Sequence, residues 1–225
     1  MAQVLVPKPA KPAVSRRPAA RPVRLPIMEN GDRLTVHEFM RRYEGMPGVR
    51  KAQLIEGIVH MPSPVRADAH AEPDGLIQGW LFLYSIQHPD LKVYPNATLI
   101  MDADNAVQPD AMLCSRPQPG GRIWLDEKGY LHGSPELVCE IAASTASIDL
   151  HAKFHAYRRN GVLEYLVWLT EENTLRWFHL EDGNYTAQKA KAGLLASRVF
   201  PGLVLDTKAL LRGDKTKLAA ALKAP

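Results

Sequence analysis

The chain has 225 residues, 46% of them hydrophobic, with two cysteines and a formal net charge of +4. That length suits one domain of about 150–200 residues with flanking segments, and no apolar run approaches the roughly 18 residues of a membrane span. Six bases and no acid fall in residues 1–26, and four bases and one acid in residues 212–225, which leaves 18 bases against 23 acids, a net −5, for residues 27–211. An acidic body argues against broad electrostatic adhesion to nucleic acid and is compatible with a small group of carboxylates that need cations.

Residues 1–26 are basic and proline-rich without an apolar stretch, so a disordered tail is expected and a secretory signal is not. "TVHEFMRRYEG" opens a helix, because Thr35 and Glu38 have capping-box spacing and Gly45 can end it. "KAQLIEGIVHM" reads as a strand, followed by a loop at Pro62–Pro64. "ADAHAEPDGLIQGWLFLYSIQH" is a helix regular from Pro73, with Leu76, Trp80, Leu83 and Ile86 at helical intervals. "LKVYPNATLIM" and "AVQPDAMLCS" are strands, and residues 121–133 form a hairpin around Asp126-Glu127-Lys128-Gly129. "PELVCEIAAS" is a strand, and "SIDLHAKFHAYRRNG" a helix, with Ser147 or Asp149 near its cap and Asn160-Gly161 at its end. "LEYLVWLT", "TLRWFHLE" and "NYTAQKA" form a β-meander, and "FPGLVLD" leads to a short helix at "TKALLR". Residues 27–211 form the domain, and 212–225 a basic C-terminal tail. Cys114 and Cys139 sit within apolar runs and suit reduced, buried thiols in a cytoplasmic protein.

Three acids interrupt these apolar strands: Glu56, Asp110 and Glu140. A carboxylate left unpaired in a buried strand costs several kcal/mol, so it is bonded, paired or bound to metal. One such acid is more often structural; three together point to a hard divalent cation, which takes oxygen ligands. Two carboxylates on adjacent strands can hold an ion where it activates water on a phosphodiester. A cation normally completes such a site, and Lys153, 13 residues beyond Glu140, is the candidate. The bland alternative for Lys153 is an exposed i,i+4 pair with Asp149. His70 can approach the site, although capping or surface exposure is the commoner role for such a residue. Tyr157 is expected to pack beside Lys153. His151 and His155 lack a third ligand nearby and read as a solvated face, and Trp168 and Trp177 as core.

"QLIEGIVHM", "NAVQPDAMLCS", "PELVCEIAAS", "DLHAKFHAYRRNGVLEYLVW" and "FPGLVLD" resemble, in order, the blocks of the Uma-type family of putative restriction endonucleases. That family belongs to the PD-(D/E)xK nuclease superfamily. The resemblance runs from about residue 34 to about residue 211 and implies an α/β endonuclease-like core: a mixed central sheet, flanking helices and a C-terminal β-meander. It places the metal-binding acids on Asp110 and Glu140, helped by the carbonyl of Ile141, with Glu56 as auxiliary acid. The superfamily lysine is absent after Ile141, where Ala142 stands, and looks to have moved to Lys153. The implied function is Mg²⁺- or Mn²⁺-dependent phosphodiester hydrolysis. The expected partners are nucleic acid, DNA in particular, and a second copy of the chain, with no membrane. A non-catalytic module that keeps this fold to bind nucleic acid or a protein is the alternative.

Overall fold

The computed structural model describes residues 25–49, 51–61 and 66–222. The basic tail expected over residues 1–26 lies outside them apart from its last two residues, as does the loop at Pro62–Pro64. Among the described residues the first helix is α1 (Val36–Glu44), whose cap is the one the sequence predicts: Thr35 Oγ1 accepts from the amide of Glu38. The strand pair β1 (Gln53–Ile55) and β2 (Ile58–His60) follows, then a π-helical turn at Ala67–Ala71 leading into α2 (Glu72–Ile86). Next come β3 (Leu91–Pro95), β4 (Leu99–Ile100), β5 (Ala106–Val107), β6 (Ala111–Ser115), β7 (Ile123–Leu125), β8 (Leu131–Gly133) and β9 (Leu137–Ala142). After β9 the chain runs through α3 (Ala146–Ile148), a second π-helical turn at Asp149–Lys153 and α4 (Phe154–Arg159). It closes with β10 (Glu164–Leu169), β11 (Thr174–Glu181), β12 (Asn184–Ala187), β13 (Leu194–Ala196), β14 (Val204–Asp206), α5 (Thr207–Leu211) and α6 (Lys215–Ala220).

The principal sheet runs β12-β11-β10-β9-β6-β3. Its central pair, β9 and β10, is parallel and buried at every position, as expected for strands covered on both faces. The other pairs are antiparallel, and β10-β11-β12 is the expected meander. A second six-stranded sheet, β2-β1-β5-β4-β8-β7, carries the expected hairpin at its edge.

Side-chain alternation along β9 divides the core. Leu137, Cys139 and Ile141 face α2, where they meet Leu76, Ile77, Trp80, Leu81 and Tyr84. Val138 and Ala142 face α4 and pack with Tyr157, Tyr165, Met112 and Cys114. Trp80 is pinned by an indole hydrogen bond to the carbonyl of Val204 at 3.0 Å and meets Trp177 edge-on. Trp80→Ala would therefore cost about 3–5 kcal/mol.

Several elements differ from the sequence reading: "AVQPDAMLCS" is two strands, β5 and β6, in different sheets, and the helix expected to start near Ser147 or Asp149 begins after Thr145. Leu83 and Ile86, which share a helical repeat with Leu76 and Trp80, are exposed on α2, because the sheet covers only the face that also carries Ile77, Leu81 and Tyr84. "LKVYPNATLIM" is two strands, broken at Asn96, where φ is +51°. The ordered structure also passes the boundary at 211: α6 packs Leu218 into the core beside α2, so residues 212–222 are not a free tail.

Candidate active site

The α4 side of the principal sheet holds the carboxylates. Glu140 shares the face of Val138 and Ala142, as the period of two requires. Asp110 directly precedes β6 and shares the face of Met112 and Cys114. Ala111 is in register with Cys139, so Asp110 and Glu140 occupy the next step of the same ladder. The amide of Ile141 donates to Asp110 Oδ2 at 2.8 Å. Both acids are buried, at 4% and 2% exposure.

Lys153 reaches them from the second π-helical turn, a wider winding that often marks functional positions. Its Nζ lies 2.8 Å from Glu140 Oε1 and 3.2 Å from Asp149 Oδ1. Asp149 is held in turn by Thr145 Oγ1, which donates to Oδ2 at 2.6 Å. The Tyr165 hydroxyl donates to the backbone carbonyl of Asp149. One turn beyond Lys153, the Tyr157 hydroxyl donates to Glu140 Oε1 at 2.7 Å. Lys153 is 4% exposed, so the solvated i,i+4 pair is corrected: the pairing with Asp149 exists, but inside the protein.

The first π-helical turn supplies His70, whose Nε2 lies 3.4 Å from Asp110 Oδ2. Lys51 Nζ lies 3.7 Å from Asp110 Oδ1 and donates to Asn96 Oδ1.

Burial alone would raise the Asp110 carboxyl. The hydrogen bond from His70, the charge of Lys153 and the amide of Ile141 outweigh burial and hold it down to about 2. Glu140 goes the other way: burial, reinforced by the charges of Asp110 and Asp149 against the opposing pull of Lys153, pushes it up to about 8. Burial would lower Lys153, but Glu140, Asp149 and Asp110 around it raise it. One ammonium thus serves three carboxyl groups, and Glu140 is the one that takes up a proton. The hydrogen bond that His70 donates to Asp110 raises the His70 imidazole.

Glu56 does not join this group. What the sequence presents as one strand is a two-residue hairpin: Glu56 and Gly57 have φ of +53° and +72°, the positive pair typical of a tight hairpin turn. The Glu56 side chain is 36% exposed and pairs with Arg159 at the end of α4 at 2.6 Å. Its assignment as auxiliary acid is withdrawn on that geometry. His151 and His155 are exposed, and Trp168 and Trp177 belong to the core, as read from the sequence. Asp149 and Tyr157 flank Lys153 at i−4 and i+4, a spacing visible in the sequence that places all three on one helical face. Lys51 carries no such signal, since it arrives from the segment before β1.

Among the described residues, no group of three or more His, Cys, Asp or Glu side chains is gathered as a metal site. The two carboxylates still fit a hard cation. Among the described residues, Glu140 Oε2 and Asp110 Oδ1 take part in no hydrogen bond, and Lys51 Nζ lies 3.7 Å from the latter. An oxygen donor set of this kind suits Mg²⁺ or Mn²⁺ rather than a soft metal.

Fold and site together define a mixed α/β protein with a buried acid–lysine cluster at the centre of its sheet. Residues 36–208 match the Uma2 family, described as "Putative restriction endonuclease", and the chain belongs to that family. Among solved structures, it is similar to a putative nuclease belonging to DUF820 from Anabaena variabilis ATCC 29413. The TM-score is 0.61 at 15% identity, covering 80% of this chain and 98% of the other. That likeness shows a shared fold. No curated protein matches the chain. Among the described residues, no helix is long and apolar enough to cross a membrane.

Proposed function

We propose that the protein is a metal-dependent endonuclease that hydrolyses phosphodiester bonds, with DNA as substrate. One observation carries the reading: Asp110 and Glu140 stand side by side on paired strands, each with an oxygen to spare, and Lys153 is held against them. Asp110 and Glu140, with the carbonyl of Ile141, would hold Mg²⁺ or Mn²⁺. When bound, such an ion supplies an activated water and offsets charge on the scissile phosphate.

The chain's own groups do the remainder. His70 and the Ile141 amide keep Asp110 ionised and oriented. Asp149 and Thr145 hold Lys153, whose lasting positive charge faces the phosphate and stabilises its developing negative charge. Lys51, the more exposed of the two lysines, meets the incoming backbone. The two free, buried thiols, Cys114 and Cys139, suit a reducing cytoplasm.

The test is incubation of the pure protein with plasmid, single-stranded DNA and RNA, each with Mg²⁺, Mn²⁺ or EDTA. Metal-dependent cutting of DNA that EDTA and Asp110→Asn both abolish is the expected result. Tight binding of nucleic acid without cutting in either metal would replace this reading with a non-catalytic binding module.

A further inference from the structure

Helix α2 buries one face against the sheet and leaves the opposite face bare. On the bare face Phe82 is 60% exposed, Ile86 63% and Leu83 42%. Gly75 and Gly79 stand exposed on the same face. From Gly75 to Gln87 the chain holds no acidic or basic residue. A solvated helix face ordinarily carries charge, and an exposed apolar patch bordered by polar residues marks an interaction surface.

The two glycines sharpen this. Glycine inside a helix is less stable than alanine, because it loses more backbone freedom on folding. Neither residue has the positive φ that would call for glycine. Among the described residues, a Cβ added at either meets nothing within 4 Å. The single chain therefore has no use for them. What glycine offers at such a place is close approach by a group from outside the helix.

Spacing says what approaches. Gly75, Gly79, Phe82 and Ile86 follow one another at intervals of four, three and four residues, the repeat that forms a seam between two paired helices. The N-terminal half of the seam is hollow and the C-terminal half is bulky. Laid antiparallel on a copy of itself, about a two-fold axis at its midpoint, the seam sets Ile86 against Gly75 and Phe82 against Gly79, at both ends alike. Each large side chain then fills the space over a glycine. A parallel pairing would oppose glycine to glycine and phenylalanine to phenylalanine, leaving one half empty and overfilling the other. Gln78, Ser85 and Gln87 flank the seam as an uncharged polar rim.

We infer that the protein forms a two-fold dimer through α2, its partner being a second copy of this chain. One patch serves both subunits, as an isologous contact requires. The seam is about 17 Å long, from eleven residues at about 1.5 Å each. A single helix pair is smaller than a standard interface of about 800 Å² a side, so association is reversible, in roughly the micromolar range. Asp110, Glu140 and Lys153 lie on other elements, so the dimer neither requires nor tests the nuclease reading.

Sedimentation velocity of the full chain should show the 25.0 kDa monomer passing to a species of twice that mass as concentration rises through roughly 1–100 μM. Phe82→Glu puts a charge into the seam, and Gly79→Leu occupies the space over which the partner's Phe82 would sit. Each should weaken association by about tenfold or more. Near-UV circular dichroism should stay that of the wild type, since both positions face open space in the monomer. Cysteines test the register. Gly75→Cys mixed with Ile86→Cys should cross-link under mild oxidation, because the two positions oppose each other across the seam. Either variant alone should not, because each cysteine would lie roughly 16 Å from its own copy. The native thiols, Cys114 and Cys139, are buried and do not compete. A monomer at every concentration, growth beyond the dimer, or a dimer that Phe82→Glu and Gly79→Leu leave intact overturns the inference. Cross-linking of either cysteine variant with itself as readily as in the mixture overturns the antiparallel seam.

Discussion

The backbone amide of Ile141 donates to Asp110 at 2.8 Å. The strand that carries Glu140 therefore also orients the opposite carboxylate. The two acids come from segments 30 residues apart, yet one ladder step and one amide fix their relative placement. A shift of β9 against β6 would misplace both together, which couples the integrity of the sheet to that of the site.

Asp110→Asn and Glu140→Gln should each abolish Mg²⁺-dependent thermal stabilisation and any cleavage, because each removes a ligand charge at nearly constant volume. Isothermal titration of Mg²⁺ checks this directly. Wild-type affinity in both variants would end the metal-site proposal.

Lys153→Ala should lower cleavage by about two orders of magnitude or more. It should also destabilise the fold by about 3–5 kcal/mol, because buried carboxyl groups lose their counter-ion. Adding Glu140→Gln to Lys153→Met should recover part of that stability and none of the activity. Urea unfolding at pH 7 is the measurement, and a Lys153→Ala protein as stable as wild type would contradict the buried pairing.

The two carboxyl groups should leave opposite marks on the pH dependence of stability. Asp110 is depressed in the folded protein, so its contribution is present above the ordinary carboxylate range near pH 4 and is lost as pH falls through about 2. Glu140 is raised, so the folded state holds a proton that the unfolded chain releases; stability on its account falls as pH rises from about 4.5 to about 8. Glu140→Gln should flatten the slope in that upper window. Divalent cation binding near pH 7 should release up to one proton, seen by calorimetry in buffers of different ionisation enthalpy. An unchanged slope in the variant would show that Glu140 is already ionised at neutral pH.

Glu56→Gln should leave cleavage at the wild-type rate. Its partner is Arg159 on a half-exposed surface, and such pairs contribute about 0–1 kcal/mol. A loss of activity comparable to that of Asp110→Asn would restore Glu56 to the chemistry.

Deleting residues 1–26 should weaken nucleic-acid binding at low salt and leave cleavage at saturating substrate intact. Six bases at about −0.9 each bound the tail's share of the salt slope at roughly −5. Fluorescence anisotropy across a salt series would show equal slopes if the tail makes no phosphate contacts.

The parts of the fold legible in the sequence are those whose signals are local. The Thr35 cap, the hairpin after Gly121 and the buried runs of β9 and β10 each announce themselves within a few residues. Glu140 and Asp110 were legible because a carboxylate inside an apolar strand is chemically out of place. Glu56 imitated that signal: "LIEGI" has the composition of a strand, and only the positive φ of Glu56 and Gly57 turns it into a hairpin tip. His70 and Lys51 reach Asp110 through tertiary approach, which no spacing encodes. The depth of Lys153 was hidden for the same reason, since its partner Glu140 lies on β9 rather than on its own helix. Helix α6 was obscured by charge, because Lys215 and Lys217 dominate its first turn and only Leu218 is buried.

Lys153 and His70 both project from π-helical turns, each of which winds one extra residue into an otherwise ordinary helix. Helical phase advances about 100° per residue. Removing one of residues 150–152 would let the segment rewind as a regular α-helix with its flanks still in phase, and Lys153 would then stand three residues rather than four from Asp149. The same holds for residues 67–71 and the approach of His70 to Asp110. These two five-residue windows should therefore accept many side-chain replacements at their exposed positions, while a single-codon deletion inside either would move the side chains that face the carboxylates and leave the helices on both sides in phase.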